Sequence, residues 1–334
     1  MLCSVIVPAR NAARTIGECL LSVLSQSLPR ELYEIIVVDD GSTDATVRIA
    51  RSHNVRVIPQ PPLGVAAARN TGARAAKSDI LLFVDADCVP ALDWIGQMLV
   101  PFEDPMVVGA KGAYLTHQEH LLPRLVQVEY EEKYRRLERF DSIDFIDGYS
   151  AAYRRSAFLA AGGFDVSLAA AEDVELSYRL SKSGQRLVFA PKAHVFHYHG
   201  ESLHRYATRK LRYGLWRSLV YARHPDKTQG DSHTPPELRA QIPLAGFAVG
   251  AAVLGIRWPK FLGISGVLLA LFATTTAPFA WRARRAGIDA AIAAPVLLLV
   301  RALGLGVGLT IGSGSLFGQR LVQRISRFTR AFRY

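Results

Sequence analysis

The chain has 334 residues, 50% of them hydrophobic, a mean hydropathy of +0.14 and a formal net charge of +11. Residues 1–200 hold 21 Lys and Arg against 24 Asp and Glu, whereas residues 201–334 hold 19 against 5. The basicity therefore sits on the apolar C-terminal part, which points to anionic membrane lipid as a partner and excludes nucleic acid, since that would need the basic patch on a soluble module.

Cys3, Cys19 and Cys88 have neither paired nor metal-ligand spacing and read as free thiols in a reducing compartment. The first residues, Met1-Leu-Cys-Ser-Val-Ile-Val-Pro8, lack a basic n-region and a cleavage site. A first strand is expected over Ser4–Val7, followed by a helix over Thr15–Gln26. Strand candidates Glu34–Val38, Val55–Ile58 and Ile80–Val84 then alternate with helix candidates Thr43–Ser52 and Gly64–Ala76. This βαβαβαβ order predicts an α/β domain with a mostly parallel sheet and helices on both faces. A helix near Asp93–Phe102, a strand over Met106–Lys111 and a charged helix over Leu121–Arg139 complete the first half.

Chemistry is concentrated where strands end. The apolar run Ile80–Val84 is cut off by Asp85-Ala-Asp87, two carboxylates that repel unless a cation neutralises them. Open α/β sheets take ligands at that edge, and hard oxygen ligands suit Mg²⁺ or Mn²⁺ completed by substrate phosphates. At the ends of the first two strands come Pro8-Ala-Arg10-Asn11 and Asp39-Asp40-Gly-Ser-Thr-Asp44. A carboxylate at 39 or 40 can cap the next helix or accept the N–H groups of a nucleobase. No G-x-G-x-x-G follows the first strand and no G-x-x-x-x-G-K-[ST] occurs, so dinucleotide and P-loop readings lose support.

Beyond His199 the character changes. Ser202–Arg223 interleaves Arg205, Arg209, Lys210, Arg212, Arg217 and Arg223 with aromatic and aliphatic residues, a pattern for a membrane interface. After a polar linker, Pro225–Pro236, come the apolar runs Ile242–Ile256, Phe261–Trp281 and Ile288–Gly312. The second is long enough to span, the first is short, and the third carries Arg301, which must face protein, snorkel or sit in a re-entrant hairpin. In the last twenty residues Leu316, Phe317, Leu321, Ile325, Phe328 and Phe332 recur at helical steps among arginines, which predicts a basic amphipathic helix. Positive-inside logic places both basic segments in the cytoplasm and asks for an even number of crossings. The expected organisation is a domain over 1–200, a basic interfacial helix and linker over 201–240, membrane-embedded helices over 241–313 and the tail over 314–334.

The set Pro8-Ala-Arg-Asn11, Val38-Asp-Asp-Gly-Ser-Thr-Asp44, Ala68-Arg-Asn-Thr-Gly72 and Asp85-Ala-Asp87 resembles the inverting family 2 glycosyltransferases of GT-A fold. Gly148-Tyr-Ser-Ala-Ala-Tyr-Arg-Arg155, Gly162-Gly-Phe-Asp165, Glu172-Asp-Val-Glu-Leu-Ser-Tyr-Arg179 and Pro191-Lys-Ala-His-Val-Phe-His197 match its acceptor half in the same order. The resemblance covers residues 2–200. It implies that Pro8, Arg10 and Asn11 line the nucleotide pocket, that Asp40 with Asp39 contacts the base, and that Arg69 and Asn70 lie near ribose and diphosphate. It further implies that Asp85 approaches the ribose or sugar and shares with Asp87 and His197 in holding the metal, Asp87 being the main ligand and His194 and His199 the close alternatives to His197. Asp173 resembles the general base, with Glu172 beside it. The acceptor motif departs from the family's Gly-x-Asn, because Gly148-Tyr-Ser150 has serine. The nearest match to the Gln-x-x-Arg-Trp of processive synthases is Arg209-Lys-Leu-Arg-Tyr213. The implied protein is a membrane-anchored, metal-dependent glycosyltransferase moving one sugar from a nucleoside-diphosphate sugar to a lipid-linked or membrane-proximal acceptor. The rivals are a catalytically inactive nucleotide-sugar-binding scaffold and a sugar-nucleotidyltransferase; the latter would want a glycine-rich loop where Pro8–Arg14 has no glycine.

Overall fold

The computed structural model describes residues 1–232 and 234–316. In chain order the first elements are β1 (Cys3–Ala9), α1 (Ile16–Leu24), β2 (Tyr33–Asp39), α2 (Thr46–Arg51), β3 (Arg56–Pro59), α3 (Val65–Ala75) and β4 (Ile80–Val84). They follow the alternation expected from periodicity, with ends moved by one to three residues. Next come β5 (Cys88–Pro90), α4 (Trp94–Leu99), β6 (Val107–Leu115), α5 (Leu121–Leu137), β7 (Ser150–Arg154), α6 (Arg155–Ala160), α7 (Glu172–Lys182) and β8 (Arg186–His197).

The strands form one sheet in the order β3-β2-β1-β4-β7-β6-β8-β5. Its first four strands are parallel, as three α/β crossovers require. The other half is mixed: β7 runs antiparallel to both β4 and β6, β8 parallel to β6, and β5 antiparallel to β8. The expectation of a mostly parallel sheet therefore holds for the half formed by β3, β2, β1 and β4 and gives way to a mixed sheet beyond β4. The antiparallel strands there, β5 and β7, are short, three and five residues.

β4 is buried along its whole length, and so is β1. α3 lies close to the sheet because its buried side is alanine and glycine. A Cβ on Gly72 would run into Ile6 and Val38. Phe83 of β4, Tyr153 of β7, Phe158 of α6 and Phe164 just beyond it form a cluster of edge-to-face and tilted rings with centroids 5.2–6.3 Å apart, an arrangement aromatic quadrupoles favour.

Two compact units divide the chain. One comprises residues 1–117 and 134–198; the other comprises 118–133 and the residues from His199 on. The second unit thus takes in most of α5, which the composition-based boundary at 200 had left with the first.

In the second unit lie α8 (Leu203–Arg223), α9 (Leu238–Gly255), α10 (Lys260–Ala283) and α11 (Ile288–Leu316). Three segments, Leu238–Gly255, Lys260–Ala286 and Ile288–Gly314, are long and apolar enough to cross a membrane. The short first run gains its length from Leu238–Gln241, which extend the helix on its N-terminal side. α8 forms as its pattern predicts, but Tyr206, Leu215, Trp216 and Val220 are buried in protein. A stripe of small residues on α11 permits this: Gly304, Gly308 and Gly312 lie against the backbone of α8 at Ala207, Leu211 and Leu215.

Arg301 faces protein. Its Nη1 donates to Glu129 at 3.1 Å and its Nη2 to Gln241 at 2.8 Å. Glu129 also accepts from Lys210 at 3.1 Å and from the Tyr206 hydroxyl at 2.9 Å. The expected amphipathic tail, from residue 317 on, lies outside the described residues.

Candidate active site

Every carboxylate singled out by the sequence belongs to the first unit and lies at a strand end or helix start. β1 ends at Ala9 beside Asp39 of β2, and Pro8 pairs with Val38. Asn11 ties the two turns together: its backbone N–H donates to Ser42 Oγ at 3.0 Å, and its Oδ1 accepts from the Thr43 N–H at 2.8 Å. Asp39 caps its own turn by accepting from the Ser42 N–H at 3.2 Å. Asp40 reaches the other way. Its Oδ1 takes Gln60 Nε2 and the Leu63 N–H, both at 2.8 Å, and its Oδ2 takes the Gly64 N–H at 2.9 Å. Arg10 is 3.9 Å from the same carboxylate. Asp40 thus fixes the loop that leads into α3.

Arg69, buried on α3, joins the two halves of the site. Its Nη2 donates to Asp85 Oδ1 at 2.6 Å, and its Nη1 donates to Glu172 Oε1 at 2.9 Å. Its path requires glycine at 148, where a Cβ would fall 2.6 Å from Nη1. Asn70, expected near ribose and diphosphate, is engaged with backbone: its Nδ2 donates to the Phe164 carbonyl at 2.8 Å, and its Oδ1 accepts the Phe164 N–H at 2.9 Å. It holds the Gly162-Gly163 turn. Ser150, the serine that departs from the family's acceptor motif, is fully buried and accepts the Trp94 indole N–H at 2.9 Å.

The register of β5 on β8 pairs Cys88 with His197. That pairing brings His197 Nε2 to 3.6 Å from Asp87 Oδ2. Of the three nearby histidines, geometry thus singles out His197, which also stacks on Tyr114 with centroids 4.7 Å apart. His199 is buried in the second unit, its Nε2 3.2 Å from Gln127 Oε1. Among the described residues no three His, Cys, Asp or Glu side chains converge as a metal cage. One carboxylate and one imidazole are nevertheless a fitting donor pair for Mg²⁺ or Mn²⁺, ions that complete their shells with waters and substrate phosphates.

α7 begins at Glu172 after Ala171, which sits in the left-handed region at φ +66°. Glu172, Asp173 and Glu175 all fall in the first turn, where the helix dipole favours negative charge. Asp173 Oδ2 accepts the Gly148 N–H at 3.0 Å. Burial, and then the charge of Asp173, push the Glu172 carboxyl up to about 7 against the pull of Arg69. Burial and the neighbouring Asp147 push Asp173 up as well. Burial likewise raises Asp85, with Arg69 opposing and Asp87 adding to it. The site therefore crowds more carboxylate than its own cations balance, the condition under which a metal or a proton is taken up.

The sequence reading did not single out Lys111 and Asp147, which sit behind Asp173. The signal was there: one lysine inside the otherwise uncharged strand Val107–Leu115.

Residues 4–160 match the profile of glycosyl transferase family 2. Over 240 residues the chain is 31% identical to the pre-mycofactocin glycosyltransferase of Mycobacterium tuberculosis, which covers 67% of this chain and 48% of that protein. It is 28% identical to the succinoglycan biosynthesis protein ExoA of Rhizobium meliloti, over 76% and 78% of the two chains. The chain spans about half the length of the first curated relatives it matches. Among solved structures, a mannosyltransferase from Pyrobaculum calidifontis in complex with GDP-Man and Mn²⁺ superposes with a TM-score of 0.59 at 22% identity, over 91% of this chain and 86% of that one. The likeness identifies the fold as GT-A.

Proposed function

The chain carries a glycosyl transferase family 2 domain, and from that premise we propose that it is a membrane-anchored inverting glycosyltransferase that uses a nucleoside-diphosphate sugar. The observation that carries this reading is Arg69, which links Asp85 at the end of β4 to Glu172 beside Asp173. Donor-side and acceptor-side carboxylates are thereby held in one frame.

In this reading the turns after β1 and β2, with Pro8, Arg10, Asn11, Asp39 and Asp40, form the nucleoside wall. Asp85 faces the ribose and sugar. Asp87 and His197 would hold Mg²⁺ or Mn²⁺, which supplies charge neutralisation to the departing diphosphate. Asp173 takes the proton of the acceptor hydroxyl as that oxygen attacks the anomeric carbon. Burial and Asp147 raise its affinity for that proton above that of an ordinary aspartate. A single base opposite the leaving group gives one displacement and inversion. Arg69 stays cationic and holds Asp85 and Glu172 in place through its two ion pairs.

The acceptor we propose is lipid-linked or membrane-proximal. Three helices of the second unit are apolar and long enough to span, and the positive charge after residue 200 favours anionic lipid. By positive-inside logic the same charge supports a cytoplasmic family 2 domain as part of this proposal.

The test is a screen of nucleoside-diphosphate sugars for divalent-metal-dependent turnover, repeated with Asp173→Asn. The variant should lose a factor on the order of 10² to 10⁴ in rate, the usual range for a general base, and keep its donor affinity. Equal loss of donor affinity would move Asp173 to the nucleotide site, and full activity in EDTA would remove the metal.

A further inference from the structure

Lys111 is fully buried in β6, between β7 and β8. An ammonium in that position is tolerated only when it is paired and hydrogen-bonded. Its Nζ contacts the Asp147 carboxylate, donates to the Tyr149 hydroxyl at 2.9 Å and lies 3.4 Å from the Gly112 carbonyl. Asp147 and Tyr149 are the two neighbours of Gly148, whose N–H donates to Asp173 Oδ2. The Tyr149 hydroxyl is 3.0 Å from that of Tyr134, which in turn accepts the Tyr114 N–H at 2.7 Å. One side chain therefore grips both flanks of the peptide that orients the candidate base.

We infer that Lys111 is a positioning residue for Asp173: it holds the 147–149 turn so that the Gly148 N–H aims the carboxylate, and it neutralises Asp147, a second carboxylate behind the base. The inference rests on reading Asp173 as the base. Several charged and titratable groups face Asp173. They are Asp147 from the loop before β7, Lys111 from β6, Arg69 from α3, Tyr153 from β7, and Glu172 next to it on α7. Burial and Asp147 raise the Asp173 carboxyl, while the Gly148 N–H and Arg69 lower it. Burial pulls the Lys111 ammonium down, and Asp147, then Asp173, hold it up.

The sign of each variant follows. Lys111→Met removes the ammonium that faces Asp147 and Asp173, so Asp173 binds its proton more tightly. Because the base works deprotonated, the acidic limb of kcat/KM moves to higher pH. Asp147→Asn leaves Lys111 uncompensated and moves the limb to lower pH. The double variant removes a neutral pair and returns the limb close to that of the native protein. Each single shift should be on the order of one pH unit, a tenfold change in proton affinity.

The experiment uses the full chain in lipid nanodiscs and reads two quantities. One is the pH profile of turnover; the other is the ¹³C carboxyl titration of Asp173, identified by its loss in Asp173→Asn. Opposite shifts in the two single variants, cancelled in the double, support the inference. Should Lys111→Met fail to fold, Asp147→Asn and the double variant still give the contrast. An Asp173 midpoint that stays native in every folded variant, whatever happens to rate, overturns it and leaves Lys111 a purely structural residue. Failure of the glycosyltransferase reading looks different: the native protein shows no Asp173-dependent turnover, while the carboxyl titration still reports on the network.

Discussion

The two units handle buried charge in opposite ways. In the second unit acids are matched by cations: the buried Glu129 with Lys210 and Arg301, the half-buried Glu132 with Arg282, and the exposed Asp289 with Arg124. In the first unit carboxylates crowd past their cations. Asp85 stands two residues from Asp87, and Glu172 sits next to Asp173 with Asp147 behind it; Arg69 bridges Asp85 and Glu172, Lys111 contacts Asp147, and His197 approaches Asp87. The difference teaches where to look for chemistry. Balanced ion pairs fix helix against helix, whereas unbalanced carboxylates at a sheet edge wait for a ligand that brings positive charge or a proton to move.

If the pairing in the second unit is structural, breaking it should cost stability and leave the nucleotide site alone. Glu129→Gln leaves Lys210 and Arg301 as buried cations without their carboxylate, a change that costs about 3–5 kcal/mol. We expect earlier thermal unfolding, with nucleoside-diphosphate affinity retained at temperatures where the protein is folded. Adding Arg301→Gln should recover part of the loss. Unchanged stability in Glu129→Gln would mean that these charges are solvated, and the contrast between the units would collapse.

The first unit's imbalance depends on where Arg69 lies, and Gly148→Ala probes that directly. The added methyl would fall on the guanidinium, at 2.6 Å from Nη1. Displacing Arg69 costs about 1–3 kcal/mol, the usual range for overpacking, and separates Asp85 from Glu172. Turnover should fall as well, because Glu172 and Asp173 lose the guanidinium that opposes their protonation. The acidic limb then moves to higher pH. A limb that stays in place would show that Arg69 does not set the charge balance.

Much of this was legible in the sequence because it depends on local pattern. The parallel half of the sheet follows from apolar runs broken by turn residues, and the Asp-Ala-Asp after Ile80–Val84 announced its own edge. Residues that act through long-range closure were not legible. Nothing in Ala68-Arg-Asn-Thr-Gly72 says that Arg69 spans to Glu172, 103 positions on, or that Asn70 is consumed by the Phe164 backbone. The pairing of Cys88 with His197 decides among three histidines, and it is a register between strands far apart in sequence. The membrane part shows the same limit. Arg301 was visibly out of place in its apolar run, but its partner Glu129 sits on a helix whose charged face reads as solvent-exposed.

The smallest effect we expect separates a structural residue from a substrate-binding one at position 150. The family's acceptor motif has asparagine where this chain has Ser150, so an acceptor contact is the obvious role to assign. The geometry argues otherwise: Ser150 is fully buried, and its Oγ is occupied by the Trp94 indole N–H. A Cβ on Gly112 of the neighbouring strand would also collide with that side chain, so the serine fills a space that β6 leaves for it. Ser150→Ala should therefore cost about 1 kcal/mol of stability, the net value of a neutral hydrogen bond. The KM for acceptor and the ratio of transfer to donor hydrolysis should not move. Were Ser150 to touch the acceptor, the variant would keep its melting temperature and shift that ratio toward hydrolysis. Measuring both on the same preparation decides between the two roles, because each predicts a change in the quantity that the other leaves fixed.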